Sequence, residues 1–338
     1  MDIGVKIPNH GLLTRDETDF YLQPIQPADV RPFEFAQLAE RLSYHSIWLS
    51  DHVVMGGDLS MDYPVTSSRT RAYPERPMML DVAVLLGGLA HATERIRFAP
   101  SVHIAPYRHP LASAHQFATA DQLSEGRVIM GVGIGWEEDE FRALGADFEN
   151  RGEVTEECIE IYKKAWSDDW IDHDGKHFTI HGVSMDPKPY QQPRPPIVYG
   201  ATTPIGARRA ARQCDGLYTV HAEPHCPVDF YAAAKHAAIA EGERIGKDMS
   251  GFWYGTICSA LLCDSDDPIL RGANRPTMTG TAEDLLEELE RYANEGYGHV
   301  TLIFDVRSNT IDELFDLVTR FGEEVLPEAQ KIEAAPFV

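Results

Sequence analysis

Lysine is scarce in this 338-residue chain. It supplies 8 of the 30 basic residues, and 53 Asp plus Glu leave a formal charge of −23. A surface of that sign repels phosphate backbones, which argues against nucleic acid as a partner. It reads either as adaptation to high salt or as an ordinary well-solvated surface. Cysteine is sparse too: Cys158, Cys214, Cys226, Cys258 and Cys263 are odd in number and form no C-x-x-C pair. That pattern fits a reducing compartment better than a disulfide framework. Long apolar runs are missing. The most apolar window, 78–92, is interrupted by Asp81 and too short to span a bilayer. No leader pattern precedes the first strand-like run. The expectation is a soluble, cytoplasmic protein with no membrane partner. A G-x-S-x-G elbow is absent as well, so a hydrolase of that type has no support.

What is present is an alternation. With 43% apolar residues the chain can bury a large core. Short β-type runs at 3–7, 46–50, 96–102, 128–132, 197–200, 217–220, 255–262 and 300–304 are separated by helical patterns. Phe35, Leu38, Ala39 and Leu42 form one apolar stripe, and Leu314, Val318, Phe321 and Val325 another. Thr281 reads as a helix cap, Thr310 with Glu313 as a capping box, and Pro110 as a first helical residue. Eight β-then-α units predict a closed (β/α)8 barrel, one domain over 1–338, with insertions at 8–30, 53–79, 136–196 and 263–280. Each insertion follows a strand, so each is expected on the C-terminal face, where barrel enzymes keep their sites.

Four motifs sit at those strand ends. S-I-W-L-S-D-H places Ser50, Asp51 and His52 at the end of the second strand. An acid and an imidazole there suit hydrogen bonding to a heterocycle and proton handling, or they cap the following loop. P-S-V-H ends the third strand with Ser101 and Val102. G-V-G-I-G-W is not a dinucleotide fingerprint: Trp136 and the acidic run 137–140 follow the glycines, where a phosphate would be repelled. Gly131, Gly133 and Gly135 instead let backbone pass close to a flat ring with Trp136 as a wall, or simply make tight turns. In P-P-I-V-Y-G-A-T-T-P-I-G-A-R-R, the amides of 202–206 and the hydroxyls of Thr202 and Thr203 form either a phosphate seat or a plain βα turn. His173, His177 and His181 recur every fourth residue, but Asp174-Gly175 is a turn signal, so no metal site is expected.

Together these segments resemble the bacterial-luciferase-like flavin family, in its coenzyme-F420-dependent oxidoreductase branch. The resemblance rests on I-G-V-K-I-P, S-D-H, P-S-V-x(5)-R-H-P, L-S-E-G-R-V-x-x-G-V-G-x-G-W, P-x-P-x-x-x-P-P-I and C-D-G-L. It implies an insertion-bearing barrel that forms homodimers. The cofactor ring would lie over a third-strand bulge at Ser101–Val102 that often carries a non-prolyl cis peptide. Asp51, His52, Gly135 and Trp136 would meet the ring. Gly200, Ala201, Thr202, Thr203, Pro204 and Ile205 would seat the phosphate. His52 is then the expected proton carrier, Asp51 its orienting partner or the ring's, and Trp136 the third member of the catalytic set. The sugar-phosphate dehydrogenases of the branch carry a Glu after G-x-G and a Trp shortly after S-D-H; here Trp136 and Gly56 stand there. That argues against glucose-6-phosphate and leaves Glu140 and His103 as substitute acids. The expected activity is hydride transfer between F420 and a small organic substrate. The alternatives are an FMN-dependent monooxygenase fed by a separate reductase, and a flavin-binding protein without turnover.

Overall fold

In the first strand alternate residues face opposite ways: Ile3 and Val5 pack outward into the main apolar cluster, while Gly4 and Lys6 face inward. This parity, repeated in eight strands, builds the molecule. The computed structural model describes residues 1–15, 20–58, 63, 72–272 and 275–337. Its wall consists of β1 (Asp2–Lys6), β2 (Ser46–Leu49), β3 (Arg97–Pro100, resuming as His103–Ile104), β4 (Met130–Gly133), β5 (Ile197–Gly200), β6 (Gly216–His221), β7 (Trp253–Leu262) and β8 (His299–Phe304). All neighbours pair in parallel, and chain order is kept around the wall. The fold is the (β/α)8 barrel expected from the sequence.

The barrel closes through β3, which is interrupted at 101–102, the position at which the resemblance implied a bulge. Phe98 faces Val128 and His103 faces Val132, so five steps along β3 answer four along β4. The extra residue is a β-bulge at 100–102, and the Ser101–Val102 peptide within it is cis. Inside the barrel Trp48 stacks on Tyr218 with ring centroids 4.6 Å apart, and Trp253 completes the stack. A Cβ on Gly4 would lie 2.8 Å from the Trp48 indole nitrogen, so the plug requires glycine there.

Around the wall run α1 (Pro32–Arg41), α2 (Val82–Ala92), α3 (Pro110–Leu123), α4 (Glu138–Leu144), α5 (Arg151–Ser167), α6 (Pro204–Gln213), α7 (Ala232–Ile245), α8 (Ala282–Asn294) and α9 (Ile311–Glu324). Pro110 opens α3 as anticipated. Thr281 and Asp284 form a complete capping box. At α9 only half the expected box exists: Thr310 accepts from the Glu313 amide, but the Glu313 carboxylate turns back to the amides of Arg307 and Ser308.

The L-S-E-G-R segment proves to be framework. Glu125 and Gly126 take positive φ to turn the chain, and the buried Arg127 donates to the carbonyls of Ala90, Thr93, Ile96 and Ser124. One guanidinium thereby satisfies orphan carbonyls at the end of α2.

Not every insertion reaches the C-terminal face. Residues 136–196 contain α5, a regular barrel helix, and the hairpin Ile171–Asp174 with Thr179–Val183 follows that helix rather than a strand. Glu157 of α5 holds the hairpin through His173 Nε2 (2.9 Å) and the amides of His177 and Phe178. The hairpin Leu12–Arg15 with Phe20–Gln23 does cover the rim, locked there by Arg15, which pairs with buried Asp305 and donates to Thr277 O and Thr279 Oγ1. Residues 16–19, 59–62, 64–71 and 273–274 of the expected insertions lie outside the described residues. Among the described residues no helix is long and apolar enough to cross a membrane.

Candidate active site

All eight strands or the residues just past their ends contribute to a cavity of about 230 Å³ at the barrel's C-terminal rim, β7 through Ile257 and β8 through Ile303. Its floor is the β3 bulge. Val102 is held up into the cavity by space that only glycine leaves: a Cβ on Gly133 would come within 2.3 Å of Val102 Cγ2, and one on Gly200 within 2.7 Å of Cγ1. A Cβ on Gly131 would strike Pro100 O at 2.0 Å. The glycines of G-V-G-I-G thus serve the bulge directly, and a flat ligand only through it.

One wall is aromatic. Trp136 meets Tyr63 edge-on at 4.8 Å and lies nearly parallel to Tyr73 at 6.2 Å. The His52 ring stands edge-on to both Tyr73 and Trp136 at 5.5 and 5.9 Å. His52 Nδ1 is 2.6 Å from Glu140 Oε2, and the other Glu140 oxygen accepts from the amides of Val53 and Val54. The short helix α4, whose acidic first turn suits its positive end, delivers Glu140 into this buried position. Nδ1 is thereby committed, leaving Nε2 as the ring's available proton-handling atom.

Asp51, expected to orient His52 or a ring, lines the same cavity, but its carboxylate bonds to groups other than His52. Its carboxylate accepts two hydrogen bonds from Arg108 (2.7 and 2.8 Å), one from the Ile104 amide and lies 3.2 Å from His103 Nδ1. Burial alone would raise its pKa; the hydrogen bond and charge of His103, then those of Arg108, outweigh it and hold the group well below the usual carboxylate range. Asp51 thereby fixes the second half of β3 to the end of β2.

Of the residues singled out from sequence, Asp51, His52, Ser101, Val102, Gly135, Trp136, Gly200, Ala201 and Thr202 line this one cavity. Thr203, Pro204 and Ile205 do not. Thr203 spends its hydroxyl capping α6, accepting from the Gly206 amide, and Ile205 is exposed. Two of the three arginines of that helix are also engaged: Arg209 with Glu156, and Arg212 with Glu156 and Glu241. His173 and His181 stand on opposite strands of the flanking hairpin and do not converge. The one group of ligand-type side chains among the described residues, Asp2, His45 and His299, lies at the opposite end of the barrel, where the charge of Arg97 opposes a cation.

Two cavity residues escaped sequence reading. Lys6 is buried, its Nζ 3.5 Å from Ser101 Oγ, and burial lowers its pKa to about 7. His10 is buried too, with Nδ1 lacking any partner; burial first, then the charges of Lys6 and His52, push its pKa far down. The signal for Lys6 was available: it shares the inward parity of Gly4.

Residues 1–303 match the family of luciferase-like monooxygenases. The chain belongs to that family. Members are flavin- or F420-dependent oxidoreductases and monooxygenases, and they are enzymes. Among curated relatives, an uncharacterized protein of Mycobacterium tuberculosis is 31% identical over 191 residues, covering 56% of this chain and 67% of its own length. A second from the same organism is 32% identical over 178 residues, 61% of its length, so this chain spans under two thirds of it. The F420-dependent glucose-6-phosphate dehydrogenase of Microbacterium testaceum is 24% identical over 335 residues, covering 88% of this chain and 93% of that one. The same luciferase-like barrel recurs in an F420-dependent secondary alcohol dehydrogenase with an F420-acetone adduct (TM-score 0.69, 21% identity, coverage 96% and 98%). It recurs also in an FMN-bound type II Baeyer-Villiger monooxygenase component of Pseudomonas putida (TM-score 0.73, 16% identity, coverage 99% of both). A flavin-type ring suits the site of this family member: the bulge offers the Val102 side chain as an apolar floor, and Trp136 a flat wall.

Proposed function

We propose that this chain is an F420-dependent oxidoreductase acting on a small organic substrate. The observation that carries the proposal is the His52–Glu140 pair beside the glycine-supported bulge. When bound, the deazaflavin supplies hydride exchange at C5. The chain's own residues do the rest. Ser101 and Val102, with Gly135, Gly200, Ala201 and Thr202, form the seat. Trp136, Tyr63 and Tyr73 exclude water from the reacting carbon. His52 Nε2 takes the hydroxyl proton when the substrate carbon gives up hydride, and returns it in the reverse direction. Glu140 holds the imidazole in the required tautomer and stabilises its charged form. Similarity over 88% of the chain to a curated F420-dependent relative supports this cofactor. A homodimer in the reducing cytoplasm, with a separate reductase renewing the cofactor, completes the reading.

The deciding experiment titrates the protein with F420 and with FMN, following quenching of cofactor fluorescence. Saturable binding of F420, followed by substrate-dependent change in its absorbance, supports the proposal. Saturable binding of FMN alone, with oxygen consumption from reduced FMN, replaces it with a monooxygenase. Tight binding of either without turnover of any substrate leaves a cofactor carrier.

A further inference from the structure

In a chain of net charge −23, the active-site cavity is lined by bases. Lys6, His10 and His52 all face it. Asp51, the acid among the described lining residues, is engaged by Arg108, His103 and the Ile104 amide, and Glu140 behind His52 by that imidazole and two amides. Among the described residues, Lys6 Nζ meets a single polar side-chain atom, Ser101 Oγ, and His10 Nδ1 meets none. Buried polar groups in folded proteins nearly always have partners, so one missing partner beside another points to a ligand group. The neighbouring wall is apolar, with the His10 ring 5.7 Å from that of Tyr73. Leu13, Phe20 and Leu22 of the rim hairpin pack with Tyr63 and Tyr73. An amine and an imidazole at one end of an apolar chamber complement a molecule with a compact anionic head and an apolar body.

We infer that the substrate is a small organic acid whose carboxylate is held by Lys6 and His10, with its apolar body against the Leu13–Phe20–Leu22 hairpin. This assignment deepens the oxidoreductase reading, on which it rests for the reaction that follows binding. Lys6 and His10 are specificity residues here: they select the anion and leave proton transfer to His52. The carboxylate gives the buried amine the partner that the fold withholds, and burial of the pair strengthens their attraction.

The test uses the protein without cofactor and reads binding by isothermal titration. The probes are benzoate and its neutral isostere benzamide. Benzoate is expected to bind at least about tenfold more tightly than benzamide. Lys6→Met and His10→Phe should each remove that preference while leaving benzamide unchanged, with thermal unfolding confirming that both variants are folded. F420 or FMN titrations of the same variants should match the unsubstituted protein. Equal affinity for the two probes, or no binding of either, overturns the inference. So does a benzoate preference that survives both substitutions. Loss of cofactor binding in place of benzoate binding also overturns it, assigning the two bases to the cofactor. Failure of both cofactors to bind the unsubstituted protein would sink the oxidoreductase reading alone, since benzoate binding is read without cofactor.

Discussion

His52 Nδ1 and Glu140 Oε2 lie 2.6 Å apart, both buried, although 88 residues separate them in the chain. If this pair moves the proton, replacing His52 with Ala lowers kcat/KM by about 10²–10⁴. Cofactor affinity should stay within about threefold, because the seat is formed by other residues. Glu140→Gln keeps the shape and loses the charge, so it should cost about tenfold or more in turnover. Steady-state kinetics with a parallel cofactor titration separates the two effects.

Asp51 and Arg108 make a structural pair. Asp51→Ala removes the acceptor of two Arg108 hydrogen bonds and leaves the part-buried guanidinium only Asp81 at 3.8 Å, which should destabilise the fold by about 1–3 kcal/mol. The pH dependence follows from the lowered pKa of Asp51. A depressed carboxyl contributes its stability fully above the unfolded value near 4, and loses it as pH falls toward the folded value. Denaturant titrations should therefore show the difference between the two proteins intact at pH 7 and shrinking below about pH 4.

Gly133 and Val102 are coupled through space. Gly133→Ala puts a methyl into the Val102 side chain and should cost about 1–3 kcal/mol. Adding Val102→Ala should recover part of that loss, giving a coupling energy of about 1 kcal/mol. A double-mutant cycle in chemical denaturation measures it, and strict additivity would show that the bulge does not depend on this contact.

Lys6 carries a stability cost that its function explains. Burial lowers its pKa to about 7. The unfolded chain therefore holds more protons between about pH 7 and 10, and stability rises with pH across that window. Lys6→Met should raise thermal stability by about 1–3 kcal/mol at pH 6. The gain should shrink toward pH 10, where the lysine is neutral in both states. Calorimetry at the two pH values checks both the sign and the trend.

Much of the architecture was legible because it depends on local order. Alternating apolar runs such as 197–200 and helical stripes such as Leu314–Val318–Phe321 are short-range patterns, and the barrel follows from repeating them. Thr281 and Pro110 act on their own neighbours, so their roles were readable too. The motifs at 50–52, 101–102 and 133–136 could be placed at strand ends, and parallel topology puts all such ends on one face.

Other features existed only after closure. The 136–196 stretch reads as a long insertion because α5 carries charged residues through its length, and only packing shows that it is the helix between β4 and β5. Asp51 looks like the natural partner of His52 because it precedes it. Both residues lie past the end of β2 and line one cavity, yet folding gives them different partners: Asp51 meets Arg108 while His52 meets Glu140.

The chain order of polar and apolar residues by itself determined a closed parallel barrel with its chemistry on one rim. Which side chains share a hydrogen bond on that rim was decided by the tertiary structure. The reason is geometric: register and a one-residue bulge in β3 set the distances between strand ends, and neither is written in any single segment. The same closure buried Lys6 and His10 with no carboxylate bonded to either among the described residues, an arrangement that appears only once β1 and the chain that follows it are folded against their neighbours.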